Sequence, residues 1–124
     1  MLSFQTSGES HGKALVGVIT GLPAGVPIDR EAIDHELHRR QQGYGRGGRM
    51  PIEKDQIEIM SGVRNRMSLG SPIAFIIANK DYPNWENIMS SEEKVKADEG
   101  LLTSPRPGHA DLPGAIKYNH RDMR

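Results

Sequence analysis

Residues 71–79 read SPIAFIIAN, a nearly continuous apolar run from which the fold prediction starts. A short apolar run of this length, bounded by polar residues, predicts a largely buried strand. The segment before it, QIEIMSGV at residues 56–63, alternates Ile57 and Ile59 with polar neighbours, which predicts a half-buried strand. We expect the two strands to pair in antiparallel orientation.

The chain before these strands predicts one more strand and a helix. In KALVGVITGLPAGVPI, residues 13–28, the β-branched residues up to Thr20 favour a strand, and the following Gly and Pro residues favour a turn. Asp29 is a favourable N-cap for a helix over residues 30–41, REAIDHELHRRQ, which has one narrow apolar face. The predicted order is therefore strand, helix, strand, strand.

The chain after residue 79 has weaker patterns. Residues 80–107 show little periodicity, although NIMSSEEKVKADEG at residues 87–100 is compatible with a short charged helix. LPGAIKYN at residues 112–119 predicts a last helix, since Pro113 is tolerated in a first turn.

Composition excludes several classes of protein. Sixteen basic residues balance sixteen acidic ones among 124, so no net charge attracts nucleic acid or an anionic membrane. The absence of Cys excludes a disulfide framework and a thiolate metal site. With no signal-peptide pattern and no apolar run near the ~20 residues of a membrane span, we expect a soluble cytoplasmic protein.

GESHG at residues 8–12 matches G-x-S-x-G, the nucleophile elbow of serine hydrolases. An elbow needs a helix directly after the serine, whereas the residues that follow here favour a strand. Asp111 and His120 could complete a triad only in name, because nothing predicts the large parallel sheet beneath it. We therefore reject Ser10 as a nucleophile.

The segment HRRQQGYGRGGR, residues 38–49, is called here the arginine loop and concentrates positive charge. Guanidinium groups bind phosphate and carboxylate through two parallel hydrogen bonds, and glycines allow close approach of the backbone. A plainer interpretation is that basic residues close a helix and a flexible loop follows. A third is an RNA-binding Arg/Gly segment over residues 39–49, although such segments normally repeat. The four arginines of the loop are Arg39, Arg40, Arg46 and Arg49.

RPGHAD at residues 106–111 is a second candidate site. An aspartate two residues from a histidine can orient its imidazole, and a nearby arginine can hold an anion, so Asp111 and Arg106 are assigned these roles toward His109. The alternative is a solvated loop histidine. The remaining histidines, His35, His38 and His120, are assigned to surface or helix positions, and no metal-binding motif is found.

Several long motifs occur in a fixed order along nearly the whole chain. They are GESHG, then RRQQGYGRGGRMPIEKDQIEIMSGV with LGSPIAFIIAN, then RPGHADLPGAIKY. Together they closely resemble the N-terminal part of the chorismate synthase family. The resemblance implies an α+β fold, a β-α-β sandwich with helices between antiparallel sheets, assembled as a homotetramer.

The resemblance also implies a lyase reaction. The substrate, 5-enolpyruvylshikimate 3-phosphate, loses its C-3 phosphate and a C-6 hydrogen by anti-1,4-elimination to give chorismate, the last step of the shikimate pathway. The family needs reduced FMN without net redox change, and NADP(H) can serve to reduce the flavin.

The resemblance assigns roles to individual residues. His11 is expected beside the leaving phosphate and His109 beside the reduced flavin. Arg40 and Arg46 correspond to arginines that bind the anionic substrate and the nucleotide, and Arg49 is a further substrate contact. These residues suit a substrate with one phosphate and two carboxylates.

Two departures from the family pattern stand out. In RNRMSLG, residues 64–70, Arg66 occupies a position where the family usually has Gly. We therefore expect a distorted backbone or a changed charge at this turn. Family members are also longer, and we therefore expect residues 1–124 to be the front portion of a single domain, inactive alone.

Overall fold

The computed structural model describes residues 1–42, 55–92 and 101–123. Within these ranges the chain forms seven strands, two α-helices and one 3₁₀ turn, Tyr82–Asn84. The strands are β1 Ser3–Ser7, β2 Ala14–Thr20, β3 Ala24–Pro27, β4 Ile57–Ile59, β5 Val63–Arg64, β6 Met67–Leu69 and β7 Ile73–Ala78. The helices are α1 Arg30–Gln41 and α2 Asp111–Tyr118.

The larger sheet has the order β1-β2-β7-β4, and every pair in it is antiparallel. The apolar run that opened the sequence argument becomes β7, between β2 and β4, so its antiparallel pairing with β4 is confirmed. Ile77 pairs with Leu15 on one side and with Ile57 on the other, which places three aliphatic residues on one face. Ile57 and Ile73 are the buried hydrophobic residues of the described chain.

The smaller sheet has the order β3-β6-β5 and is also antiparallel. Asn65 and Arg66, which join β5 to β6, have φ angles of 49° and 62°. Two-residue hairpin turns of type I′ require positive φ at both central positions, for which Gly is the usual choice at the second. Arg66 accepts this conformation, and its Nη2 donates to Glu31 Oε1 at 2.6 Å. The turn is thus formed, and the added charge is paired.

Helix α1 begins and ends where the sequence predicts. Asp29 Oδ1 accepts a hydrogen bond from the Ala32 amide at 3.0 Å, which makes Asp29 the N-cap. Asp34 Oδ1 accepts from the Ile57 amide at 3.0 Å, so α1 is fastened to the edge strand β4. This contact directs the end of α1 and the start of the arginine loop.

Helix α2 confirms the last predicted helix and carries Pro113 in its first turn. It ends at Tyr118 and is capped by Asn119, which has a φ of 55°. Residues 87–92, the described part of the predicted charged helix, form turns and bends, so the helix prediction is wrong there; residues 93–100 lie outside the described ranges. None of the helices described is long and apolar enough to cross a membrane.

The strand and helix content confirms the α+β class with antiparallel sheets. The predicted order missed β1, β3, β5 and β6. These strands are short or polar, and their pairing with other strands stabilises them.

Candidate active site

The GESHG segment is a loop between two antiparallel strands, and residues 8–12 are called here the histidine turn. Strand β2 follows it at Ala14, so the helix of a nucleophile elbow is absent at this point of the described chain. The Gly12 amide donates to the Glu9 carbonyl at 3.1 Å, which closes the turn. The observed context agrees with the rejection of Ser10 as a nucleophile.

His11 is buried, with 8% of its surface exposed. Its Nδ1 and Ser10 Oγ share a hydrogen bond of 2.7 Å. The Trp85 ring meets the imidazole edge to face, with ring centroids 4.4 Å apart and an interplanar angle of 71°. Ser10 and Trp85 therefore both help to hold the imidazole in place.

His109 is exposed and lies in the loop that leads into α2. The preceding Gly108 has a φ of 75°, which the rigid Pro-Gly turn predicted from sequence requires. His109 Nδ1 donates to the Pro107 carbonyl at 3.2 Å, because a carbonyl oxygen can only accept. In the neutral imidazole, Nε2 is then the proton acceptor.

Asp111 does not orient His109, and this expectation from the sequence is wrong. Its Oδ2 accepts from the Arg106 amide at 2.9 Å and from Arg106 Nε at 2.8 Å, and its Oδ1 accepts from Arg106 Nη2 at 3.0 Å. These hydrogen bonds lower the pKa of Asp111 to about 2. A cation five residues away attracts the carboxylate more strongly than a neutral imidazole does.

Two clefts meet at the histidine turn. One is lined by Ser10 together with Arg106, His109 and His120 and is called here the His109 cleft. The other, the Arg40 cleft, is also lined by Ser10 and contains Arg40, Asp55, Asn79 and Lys80. Since Ser10 lines both clefts, the histidine turn connects the two predicted sites.

Arg40 lies in the last turn of α1, and its Nη2 donates to Asp55 Oδ2 at 3.2 Å. Its side chain remains 61% exposed, so most of its donors can still face a ligand. Lys80 adds a second cation to this cleft, and Glu9 adds a second carboxylate. Arg46 and Arg49, the other predicted anion-binding residues, lie outside the described residues. Within the described ranges no group of three His, Asp or Glu side chains could hold a metal ion.

Sequence reasoning missed the segment that packs on His11. Asn79 Nδ2 donates to the Gly12 carbonyl at 2.8 Å, and the Asn79 amide donates to the Lys13 carbonyl at 3.0 Å. Trp85 Nε1 donates to Asp81 Oδ2 at 2.8 Å. The one signal that could have drawn attention to this segment is Trp85, the single tryptophan of the chain.

Comparison with known proteins gives one consistent family. The family model described as chorismate synthase matches residues 2–124. Curated chorismate synthases from Alkaliphilus metalliredigens and Syntrophomonas wolfei are 60% and 57% identical over the whole chain. The Aquifex aeolicus protein of the same name is 57% identical over 99% of the chain.

The chain spans 31–32% of the length of these relatives. A solved structure titled as a chorismate synthase crystal structure matches 98% of the chain and 26% of its own length, with a TM-score of 0.66 and 42% identity. The RNA-binding interpretation of residues 39–49 gains no support from these matches.

Proposed function

The chain belongs to the chorismate synthase family, and on that premise we propose that its protein converts 5-enolpyruvylshikimate 3-phosphate to chorismate. The reaction expels the C-3 phosphate and removes a C-6 hydrogen. The observation that carries the proposal is the buried His11, fixed at Nδ1 by Ser10, a residue that lines both clefts. A proton donor held beside a site for anions is what phosphate departure requires.

His11 is proposed to hold the proton that the leaving phosphate receives. Burial excludes water from most of the imidazole, and the hydrogen bond at Nδ1 fixes which nitrogen faces away from Ser10. A donor with a fixed direction lowers the barrier because little reorganisation is needed when the carbon–oxygen bond breaks.

Arg40 and Lys80 support the binding of an anionic substrate. Both line the cleft that contains Ser10, and Arg40 is only partly neutralised by Asp55. The substrate carries one phosphate and two carboxylates, for which guanidinium groups provide bidentate hydrogen bonds. We propose that Arg46 and Arg49, assigned by resemblance, complete this set, and that Arg40 and Arg46 also contact NADP(H).

The described walls of the His109 cleft fit the polar edge of a flavin. His109 is exposed there, and Arg106 and Asp111 neutralise each other, so the cleft carries no unpaired carboxylate from this pair. Reduced FMN, when bound, supplies the electron that helps to expel phosphate and takes it back afterwards. Because Nδ1 is engaged by the Pro107 carbonyl, the imidazolium form of His109 is proposed to hold a proton at Nε2 toward the flavin edge.

The proposal includes a cytoplasmic homotetramer, as the resemblance implies. Large apolar side chains on several elements are exposed in the described chain, which is consistent with cover by further protein. These side chains include Phe4, Leu15, Leu112 and Ile116.

The experiment uses a fusion in which this chain replaces the matching third of the Aquifex aeolicus relative. With reduced FMN, the fusion should form chorismate from 5-enolpyruvylshikimate 3-phosphate. His11→Ala and His109→Ala should each lower kcat by roughly 10²- to 10⁴-fold, the range for loss of a general acid. His35→Ala, on exposed α1, is the matched control and should keep the parent kcat.

An inactive parent fusion that is folded and binds reduced FMN would contradict the proposed function. Near-parent turnover in either variant would remove that histidine from the mechanism while leaving the reaction itself in place.

A further inference from the structure

Residues 79–85, NKDYPNW, fold against the histidine turn and are called here the indole turn. Asn79 joins the two turns, since its Nδ2 donates to the Gly12 carbonyl at 2.8 Å and its Oδ1 accepts from the Asp81 amide at 3.0 Å. The 3₁₀ turn then carries the chain to Trp85, whose amide donates to the Tyr82 carbonyl at 2.8 Å. The position of the indole is therefore linked to the position of Gly12.

Asp81 fixes the indole within this turn. Its Oδ2 accepts from Trp85 Nε1, and its Oδ1 accepts from Asn84 Nδ2, both at 2.8 Å. With both oxygens engaged, the carboxylate is held in one orientation and so is the ring that donates to it. Charge-assisted hydrogen bonds of this kind are shorter and stronger than neutral ones.

The fixed indole is in ring contact with His11, at 4.4 Å between centroids. An edge-to-face arrangement at this distance is a favoured aromatic geometry. The buried aliphatic core lies elsewhere, at Ile57 and Ile73 in the larger sheet. The tryptophan ring contacts an imidazole, which distinguishes Trp85 from an aromatic residue that fills a core.

We propose that Trp85 and Asp81 are positioning residues for His11. Ser10 holds the imidazole at Nδ1, Trp85 packs against the ring, and Asp81 prevents the indole from rotating away. A general acid displaced by about 1 Å can lose roughly 10²-fold in rate, so a group that fixes the ring contributes to turnover without contacting the substrate. This inference rests on the proposed catalytic role of His11.

The charged groups around this arrangement belong to the two turns. Asp81 and Lys80 lie in the indole turn, and Glu9 lies in the histidine turn, where its side chain approaches Gly12. Asp81 is linked to His11 by its hydrogen bond to the indole. We assign its effect to this hydrogen bond, so an uncharged acceptor at position 81 should preserve it.

The first test uses the 124-residue chain, because its single tryptophan reports on the contact directly. A protonated imidazole quenches indole emission at contact distance, so emission should fall reversibly when the pH is lowered until His11 is protonated. His11→Gln should abolish this response, and His120→Gln, in the His109 cleft, should keep it. Asp81→Ala should weaken the response, whereas Asp81→Asn should retain it, since an amide oxygen still accepts from Nε1.

Absence of a response in the parent chain would overturn the proposal. A response unchanged by His11→Gln or by Asp81→Ala would do the same. These readings need no turnover, so they separate failure of the positioning role from failure of the proposed function.

The second test measures kinetics in the fusion described above. Trp85→Ala and Asp81→Ala should lower kcat by roughly 10- to 100-fold while KM stays within about threefold of the parent value. The acid limb of the kcat–pH profile should shift in both variants, and Asp81→Asn should restore the parent profile. Tyr82→Phe, in the same 3₁₀ turn, is the matched control.

A merely structural role would lower the yield of folded protein without moving the pH profile of the enzyme that remains. Parent values of kcat and an unshifted profile in folded Trp85→Ala and Asp81→Ala would overturn the positioning role.

Discussion

At the scale of single residues, the pairing of Arg106 with Asp111 decides how the His109 loop is built. Asp111 is buried at the first turn of α2 and accepts three hydrogen bonds from Arg106, one of them from the backbone. A carboxylate in a helix's first turn is also favoured by the helix dipole. The pair therefore joins the two ends of the loop that contains His109, and its carboxylate stabilises the first turn of α2.

The Arg106–Asp111 pair predicts a dependence of stability on pH. The pKa of Asp111 is lowered from 3.8 to about 2, chiefly by the Arg106 side chain. A lowered folded-state pKa stabilises the folded state fully above the unfolded pKa, and this contribution is lost as pH falls toward 2. Urea unfolding of the chain at pH values between 6 and 2 should show this loss of stability in the parent and not in Asp111→Asn. Hydrogen exchange of the α2 amides should show the same difference.

Glu58→Gln, at an exposed position on β4 away from α2, should keep the parent profile. Equal loss of α2 protection with falling pH in the parent and in Asp111→Asn would contradict the assignment.

The candidate site was predictable from sequence only as far as local patterns extend. His11, His109 and Arg40 stand out because each lies in a distinctive motif, and the structure places Arg40 and His109 in clefts that share Ser10. The partner of Asp111 was not predictable, since two candidate partners lie within five residues and only geometry selects Arg106. Trp85 packs on His11 across 74 residues of sequence, a distance that no local pattern spans.

At the scale of elements, the packing of β2 against β7 depends on one missing side chain. Gly17 pairs with Phe75, and a Cβ added at Gly17 would collide with the Phe75 ring. The ring therefore lies across the Gly17 position and fills the space between the larger neighbours of the face. Gly17 is needed in this strand because it allows the Phe75 ring to approach the backbone closely, and not because it forms a turn.

Gly17→Ala should lower the free energy of unfolding by about 1–3 kcal/mol, the usual cost of overpacking. Gly114→Ala is the matched control, because a Cβ there meets open space within helix α2. Replacing a helical Gly by Ala should raise stability by about 0.5–1 kcal/mol. Urea unfolding of both variants measures the difference, and a Gly17→Ala variant as stable as the parent would show that Phe75 moves aside freely.

The elements predicted from the sequence are those whose own residues mark them as a helix or a strand. Helix α1 has an aspartate cap and glycines after it, and β7 has an unbroken apolar run, so each is marked by its own residues. Strand β1, SFQTS, is polar and exposed, and it forms because it pairs along its whole length with β2. The turn of the β5–β6 hairpin has Arg66 where Gly is usual, so the sequence pattern does not predict a hairpin there.

At the scale of the whole molecule, the described chain leaves much apolar surface uncovered. Phe4 is 76% exposed on β1, and Ile116 is 74% exposed on α2, where Leu112 lies one turn earlier on the same side. Only two hydrophobic residues of the described ranges are buried. Exposed apolar surface of this extent normally marks an interface.

The exposed apolar surface predicts how the 124-residue chain behaves by itself. It should bind the dye ANS and associate in sedimentation, because burial of apolar area is worth roughly 25 cal/mol per Å² and nothing in the described chain supplies it at Phe4 or Ile116. Phe4→Gln with Ile116→Gln should reduce both signals with little loss of stability, since neither side chain packs internally. The matching substitutions Ile57→Gln and Ile73→Gln should instead unfold the chain, as both residues are buried.

The same reasoning extends to cofactor binding. A flavin site is concave and buries most of its ligand, whereas the His109 cleft is walled in the described chain by one loop, α2, the segment after α2 and the histidine turn. Reduced FMN should therefore bind the fusion to the Aquifex aeolicus relative and not the 124-residue chain, as measured by equilibrium dialysis without oxygen. Saturable binding by the chain alone would mean that these few elements already form the flavin site, and the surface at Phe4 and Ile116 would then need a different explanation.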